Sequence, residues 1–441
     1  MLNVDYILYG DYVLPVDEPF SLIQDGAVAV RGREIVAVGT SESISKQYAP
    51  RNVIKKEKSV ILPGLINTHT HAAMVYFRGI ADDLPLKEWL EGHIWPAENR
   101  WLSPEFISDS IELACLEMLK AGVTTYNDMY FYEDAAGLAT KKIGMRAVLG
   151  SGILDFPSVS ANSTEEYLEN ARNFIRDWNG DELITPCIAP HALYTCSPET
   201  LKKSRALADQ LDVPLHIHLS ETQWEVNEVM VRHRKKPVEY LESLGFLDEK
   251  VLAAHCVWIE DKEIELLAKR KVGVSHCMES NLKLASGFAP VVTMLMSGVK
   301  VTFGTDGAAS NNDLNILSEM STTAKVHKAL SENPTFLDSK TAIRMATKWG
   351  AEVLGLGDKT GSLEEGKLAD IIIMDLNKPH LTPLYDVSSH IVYSAMASDV
   401  DTVMVNGKVV VSSGKLVTAN ETEILHKARL WSEKIKAADR G

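Results

Sequence analysis

The sequence predicts an α/β fold: a (β/α)8 TIM barrel carrying a small β-sandwich domain formed by both chain ends. Three observations predict it. Eight short apolar runs alternate with longer helix-like stretches through the middle of the chain. A strand-and-turn pattern near the N-terminus returns near the C-terminus. The 441 residues exceed one small core and leave room for a barrel of about 300 residues plus a second layer.

Residues 1–58 read as strands broken by turns. The opening MLNVDYILYGDYVLPVD carries early acids and no basic segment, so it reads as paired strands and not as a secretion signal. DGAVAVRGREIVAVG alternates in the strand manner and turns at Arg31-Gly32-Arg33. The signature returns in KLADIIIMDL and in VDTVMVNGKVVVSSGKLV. Neither half could easily bury a core alone. Residues 1–58 plus 362–420 are therefore expected to form one small domain, with the barrel, 59–361, inserted between them. The final segment, 421–441, reads as an amphipathic helix.

The eight runs are VILPGLIN, GVTTYND, GMRAVLGSG, ELITPCIAPH, VPLHIHLSE, KVLAAHCVW, KVGVSHCME and VKVTFGTDG. Between them lie stretches such as SPEFISDSIELACLEMLKAG and SPETLKKSRALADQLD, each opening with Ser as cap and Pro in the first turn. In such a barrel the active site gathers at the C-terminal ends of the strands.

Composition narrows the function classes. Apolar residues make up 45% and charged residues 24%, ordinary for a soluble globular protein. No apolar run reaches membrane-spanning length, so no membrane partner is expected. A net charge of −15 repels phosphate backbones and argues against nucleic acid. Cys115, Cys187, Cys196, Cys256 and Cys277 are odd in number and lack CxxC spacing, which fits reduced, buried thiols in a cytoplasmic protein. The C-terminal helix and acidic surface permit a monomer or a homo-oligomer.

Five of the eight runs end in, or just before, His, Asp or Glu. The first leads into His69-Thr70-His71, whose i, i+2 spacing in extended chain turns both imidazoles to one side. The fifth contains His216 and His218. The residue nearer the rim, His218, is the expected ligand, and His216 is read as packed or hydrogen-bonded. Glu221, three residues on, can reach over a metal without binding it. The sixth run brings His255 behind two alanines. The eighth ends Gly304-Thr305-Asp306-Gly307, where the flanking glycines are expected to turn the backbone and aim the carboxylate into the bore. Jointly these residues predict a metal site.

These residues resemble the amidohydrolase superfamily, and the likeness covers nearly the whole chain. PGLINTHTHAAM, FRGIADDLPLKEWLEGHIWPAENRW, HIHLSET, HCMESNLKLASGFAPV and GTDGAASNNDLN are similar to the deaminases acting on 5'-methylthioadenosine and S-adenosylhomocysteine. The resemblance assigns metal ligation to His69, His71, His218 and Asp306. Binuclear relatives bridge two ions with a strand-four lysine; ELITPCIAPH has none, which implies one divalent ion, most simply zinc, with iron or manganese also suited to these donors. It further implies hydrolytic deamination of an adenine ring. Asp306 takes a proton from the metal-activated water, His255 hydrogen-bonds the attacking oxygen, and Glu221 protonates ring nitrogen 1.

For the small-molecule nucleoside, the resemblance implies that Glu98 in WPAENRW accepts from the ribose hydroxyls and that His191 faces the purine or ribose. Trp89 is an apolar wall or simply core, and Asn281 orders a loop without chemistry. Relatives that handle S-adenosylhomocysteine well carry two arginines after strand three. Here position 151 is Ser and no arginine precedes Arg172, while Arg146 lies too early in its strand. Methylthioadenosine is therefore expected to be preferred, with adenosine accepted and S-adenosylhomocysteine used more weakly. The alternatives are a deaminase or hydrolase of guanine, 8-oxoguanine or a triazine, and a non-catalytic binding homologue.

Overall fold

The computed structural model describes residues 1–438. The chain opens with β1 (Leu2–Val13), β2 (Ile23–Arg31), β3 (Glu34–Thr40), β4 (Tyr48–Lys55) and β5 (Ser59–Pro63). The middle supplies β6 (Leu65–Thr70), β7 (Val123–Tyr130), β8 (Arg146–Ile153), β9 (Ile184–Pro190), β10 (Leu215–Leu219), β11 (Val251–His255), β12 (Gly273–His276) and β13 (Val301–Phe303). The end adds β14 (Ile371–Asp375), β15 (Val400–Val405), β16 (Lys408–Ser412) and β17 (Lys415–Leu416).

Strands β6 to β13 pair in sequence order, parallel throughout, as the eight runs predict. The last strand returns to the first. Thr68 Oγ1 donates to Phe303 O at 2.9 Å, and Asp306 N donates to His69 O at 3.0 Å. Helices cover the outside, so a strand such as β7 is buried along its whole length. The two Ser-Pro starts cap real helices. Ser103 accepts from Phe106 N ahead of Pro104–Lys120, and Ser197 accepts from Thr200 N ahead of Pro198–Leu211, each at 3.2 Å.

The two chain ends form one continuous nine-stranded sheet, ordered β17-β16-β15-β14-β5-β1-β2-β3, with β4 also paired to β1. The sheet curls on itself. Ile35 N donates to Lys367 O and Ala369 N to Arg33 O, both at 2.8 Å, which closes the β3 edge onto the segment before β14. Inside lie Leu8, Val28, Ile61, Ile371, Ile373 and Met404. The sandwich expected from the sequence is thus a single curled sheet.

The run VILPGLIN is not one barrel strand, and the expected boundary at 58/59 is corrected accordingly. Ser59–Pro63 belongs to the terminal sheet, where Ile61 pairs with Ile373; the barrel opens at Leu65. Gly64 is the crossing point. A Cβ there would lie 2.0 Å from Thr124 Oγ1, so only glycine lets the chain pass this close to the neighbouring strand.

Arg146, at the start of β8, grips Asp370 with two bonds, Nε to Oδ2 at 2.7 Å and Nη2 to Oδ1 at 3.2 Å, both side chains buried. This pair ties barrel to sheet. The C-terminal helix runs over Glu421–Ala438 and packs on Pro104–Lys120, with the Trp431 and Phe106 rings 5.1 Å apart. The expected helix positions 439–441 lie outside the described residues. No helix among the described residues is long and apolar enough to cross a membrane. All five cysteines are free and buried.

Candidate metal centre and active site

His69 stands near the end of β6, and His71 immediately follows the strand, before a 3-10 turn at Ala72–Phe77. Each places Nε2 3.3 Å from Asp306 Oδ1. His218 on β10 joins them, its Nε2 3.2 Å from His71 Nε2. All four side chains offer a ligand atom within 4.8 Å of the others.

Asp306 reaches this place by adopting the left-handed region itself, with φ of 62°. The expectation that its flanking glycines make the turn is corrected: neither has a positive φ. They give room instead. A Cβ on Gly304 would sit 2.7 Å from His69 Cβ, and one on Gly307 would sit 2.7 Å from Met74 Sδ. The Asp306 carboxylate is held by three donors: Gly307 N at 2.8 Å, Ser280 Oγ at 2.6 Å and Ser310 Oγ at 2.9 Å.

Backbone carbonyls set two of the imidazoles. His71 Nδ1 donates to Met129 O at 2.7 Å, and His218 Nδ1 donates to His191 O at 2.8 Å. In the neutral ring each leaves an Nε2 lone pair facing the other and facing the carboxylate. His69 Nε2 is buried without a hydrogen-bond partner, while its Nδ1 lies 2.9 Å from His216 Nε2. His216, read as packed or hydrogen-bonded, is both: its Nδ1 takes Asn127 Nδ2 at 3.1 Å. Convergent lone pairs, a carboxylate and an orphaned buried nitrogen are the donor set a divalent cation fits.

The electrostatics tie these groups to one another. Burial pulls His69 down to about 4 and His218 well below the ordinary imidazole range. Burial also acts to lower His71, but Asp306 outweighs it and raises the group to about 9. Asp306 itself is pushed upward by burial, yet the adjacent His69 and His71 imidazoles leave it well below the usual carboxylate range.

Glu221 follows β10 at a sharp turn, where Ser220 has φ of 52°. Glu225 fixes that turn by accepting from Ser220 N at 3.0 Å and Glu221 N at 2.9 Å. Glu221 Oε2 lies 3.8 Å from His255 Nε2, and burial raises the carboxyl above its ordinary value. His255 ends β11, and its Nδ1 donates to Asn281 Oδ1 at 3.0 Å. Asn281 thus orients an imidazole beyond ordering its loop.

A cavity of about 320 Å³ opens beside these groups. His71, His218, His255, Glu221 and Asp306 border it, with fully buried His69 behind them. Glu98, on the helix Trp95–Trp101, borders it too; it accepts from Tyr130 Oη at 2.6 Å, and burial pushes it up to about 7. His191, just past β9, borders it with Nδ1 2.9 Å from Thr195 Oγ1. Trp89 is both core and wall, 4% exposed and against the cavity. Trp95, Phe131 and Phe156 extend the apolar lining. Among the described residues, no Lys or Arg lines it. Arg146 is committed to Asp370, and Arg172 lies on the outer helix Thr164–Trp178, 3.8 Å from Glu169.

Sequence reasoning missed Tyr130, Asn127, Glu225, Ser280 and Ser310. Ser280 and Ser310 lie within the quoted HCMESNLKLASGFAPV and GTDGAASNNDLN, beside Asn281 and four residues after Asp306, and that placement was their visible signal.

A model of the Amidohydrolase family matches residues 60–410. The chain is 52% identical to 5-methylthioadenosine/S-adenosylhomocysteine deaminase of Thermodesulfovibrio yellowstonii, over 98% of this chain and 99% of that one. It is 44% identical to 5'-deoxyadenosine deaminase of Methanosarcina acetivorans, over 98% and 99%. The crystal structure of an adenosine deaminase from Xanthomonas campestris with bound zinc superposes with a TM-score of 0.97 at 40% identity, covering 99% of both chains.

Proposed function

The chain belongs to the amidohydrolase family, and on that premise we propose that it hydrolytically deaminates the adenine ring of small nucleosides, 5'-methylthioadenosine before others. The observation that carries this reading is one cavity bordered by two sets of groups. The His/Asp cluster with Glu221 and His255 suits hydrolysis, and the buried carboxylate of Glu98 suits a sugar diol, which offers two donors. The relatives named for adenine nucleosides support it.

His69, His71, His218 and Asp306 would hold one divalent ion, which when bound would lower the pKa of water to about 7. Zinc is the proposed ion, supported by the zinc-bearing neighbour, and the absence of lysine from β9 supports a single one. Asp306 accepts a proton from the attacking water. His255, aimed by Asn281, hydrogen-bonds the attacking oxygen. Glu221, whose carboxyl burial raises above its ordinary value, delivers a proton to ring nitrogen 1 and makes carbon 6 electrophilic. Ammonia leaves with a proton returned from the carboxylates. His191 and Trp89 bound the bound nucleoside. The free, buried cysteines support a reducing, cytoplasmic location.

The aromatic lining without a cation suits an apolar 5' substituent and leaves an amino-acid carboxylate unpaired. Steady-state ammonia release from methylthioadenosine, adenosine and S-adenosylhomocysteine, with metal content measured in parallel, tests the reading. Methylthioadenosine should give a kcat/KM at least about tenfold above S-adenosylhomocysteine, the loss expected for one unpaired charged hydrogen bond. Equal values would refute the preference.

A further inference from the structure

Tyr130 is the last residue of β7 and has no part in the chemistry above. Its hydroxyl donates to Glu98 Oε1 at 2.6 Å, with the two residues only 5% and 7% exposed. Among the described residues this is the one hydrogen bond the Glu98 carboxylate makes. Its other oxygen, Oε2, has no hydrogen-bond partner among the described residues and is not sealed in the core; Glu98 borders the cavity.

The two residues stand on unequal supports. Glu98 sits near the end of an unbroken helical run from Leu86 to Trp101, whose middle segment, Leu90–Ile94, is a wider π-turn. Tyr130 sits on a strand paired on both sides, and its own N–H is held by Glu133 Oε1 at 3.0 Å. A glutamate's flexible stem needs an outside partner to choose one rotamer, and the rigid strand end supplies it.

We propose that Tyr130 is a positioning residue for sugar recognition, pinning Glu98 Oε1 so that Oε2 is presented to the vicinal hydroxyls of the nucleoside. The proposal rests on the ribose role assigned to Glu98 above. The hydroxyl also opposes the rise that burial imposes on this carboxyl, which favours the ionised form in which Oε2 accepts.

The test compares adenosine with 2',3'-dideoxyadenosine, which lacks the two hydroxyls, in wild type, Tyr130→Phe, Glu98→Gln and the double variant, each checked for metal content and unfolding temperature. Tyr130→Phe should raise KM for adenosine about tenfold, the scale of one hydrogen bond to a charged group, with kcat within about twofold. It should leave the dideoxy substrate unchanged, and it should add nothing in the Glu98→Gln background. Equal losses on both substrates, or a full further loss in the Glu98→Gln background, would overturn the proposal. Wild-type failure to deaminate either nucleoside would instead overturn the functional reading, and this one with it.

Discussion

His71 and His218 hold their Nε2 atoms 3.2 Å apart because two carbonyls, Met129 O and His191 O, have each claimed the opposite ring nitrogen. The cation affinity of the site is therefore written into backbone geometry as much as into side chains. Glu221 stands apart from that arrangement. Its carboxylate lies 3.8 Å from His255 Nε2, and its backbone is fixed by Glu225. Removing its proton should spare the metal. Glu221→Gln is expected to purify with the wild-type metal content while losing about 10²–10⁴-fold in kcat, the range of one general acid step. Metal analysis alongside ammonia release checks this, and near-normal kcat would remove Glu221 from the mechanism. His69, His71, His218, Glu221, His255 and Asp306 could all be picked out as candidates in the sequence, because each follows or ends an apolar run. Tyr130 and Glu225 could not. They act on residues of other elements or through a turn, and no periodicity marks such contacts.

At the level of elements, the eight barrel strands were legible because each is apolar and short, with helix signals between. The place where the chain leaves one sheet for the other was not. Ser59–Pro63 and Leu65–Thr70 are both wholly buried, so an unbroken apolar run gives no sign of the change. Gly64 was the sole mark, and its meaning depends on Thr124, a residue far along the chain. Gly64→Ala would force a methyl group to within 2.2 Å of Thr124 Cγ2. Overpacking of this kind costs about 1–3 kcal/mol. Calorimetry should show a lower unfolding temperature for Gly64→Ala and partial recovery when Thr124→Ala is added. The turn at Asp306 teaches the same lesson. Gly304 and Gly307 were visible, but only the packed neighbours reveal that they serve space and not rotation.

For the molecule as a whole, the curled sheet and the barrel meet at Arg146 and Asp370, a bidentate pair with side chains 4% and 0% exposed. Breaking a buried pair by removing one partner costs about 3–5 kcal/mol. Arg146→Met should therefore lower the unfolding temperature while leaving kcat unchanged at temperatures where the variant is folded, since the cavity lies elsewhere; a matching fall in kcat would show that the pair also shapes the site. The sheet itself joins strands far apart in the chain. Ile61 of β5 pairs with Ile373 of β14. On a ribosome adding about 5–20 residues per second, β5 emerges roughly 300 residues before its partner and waits many seconds with one edge unpaired. The barrel is complete in sequence by β13 and is free to close during that wait. Synthesis therefore hands the cell a nearly finished enzyme trailing an open sheet edge, and the last strands to leave the tunnel are the ones that cover it.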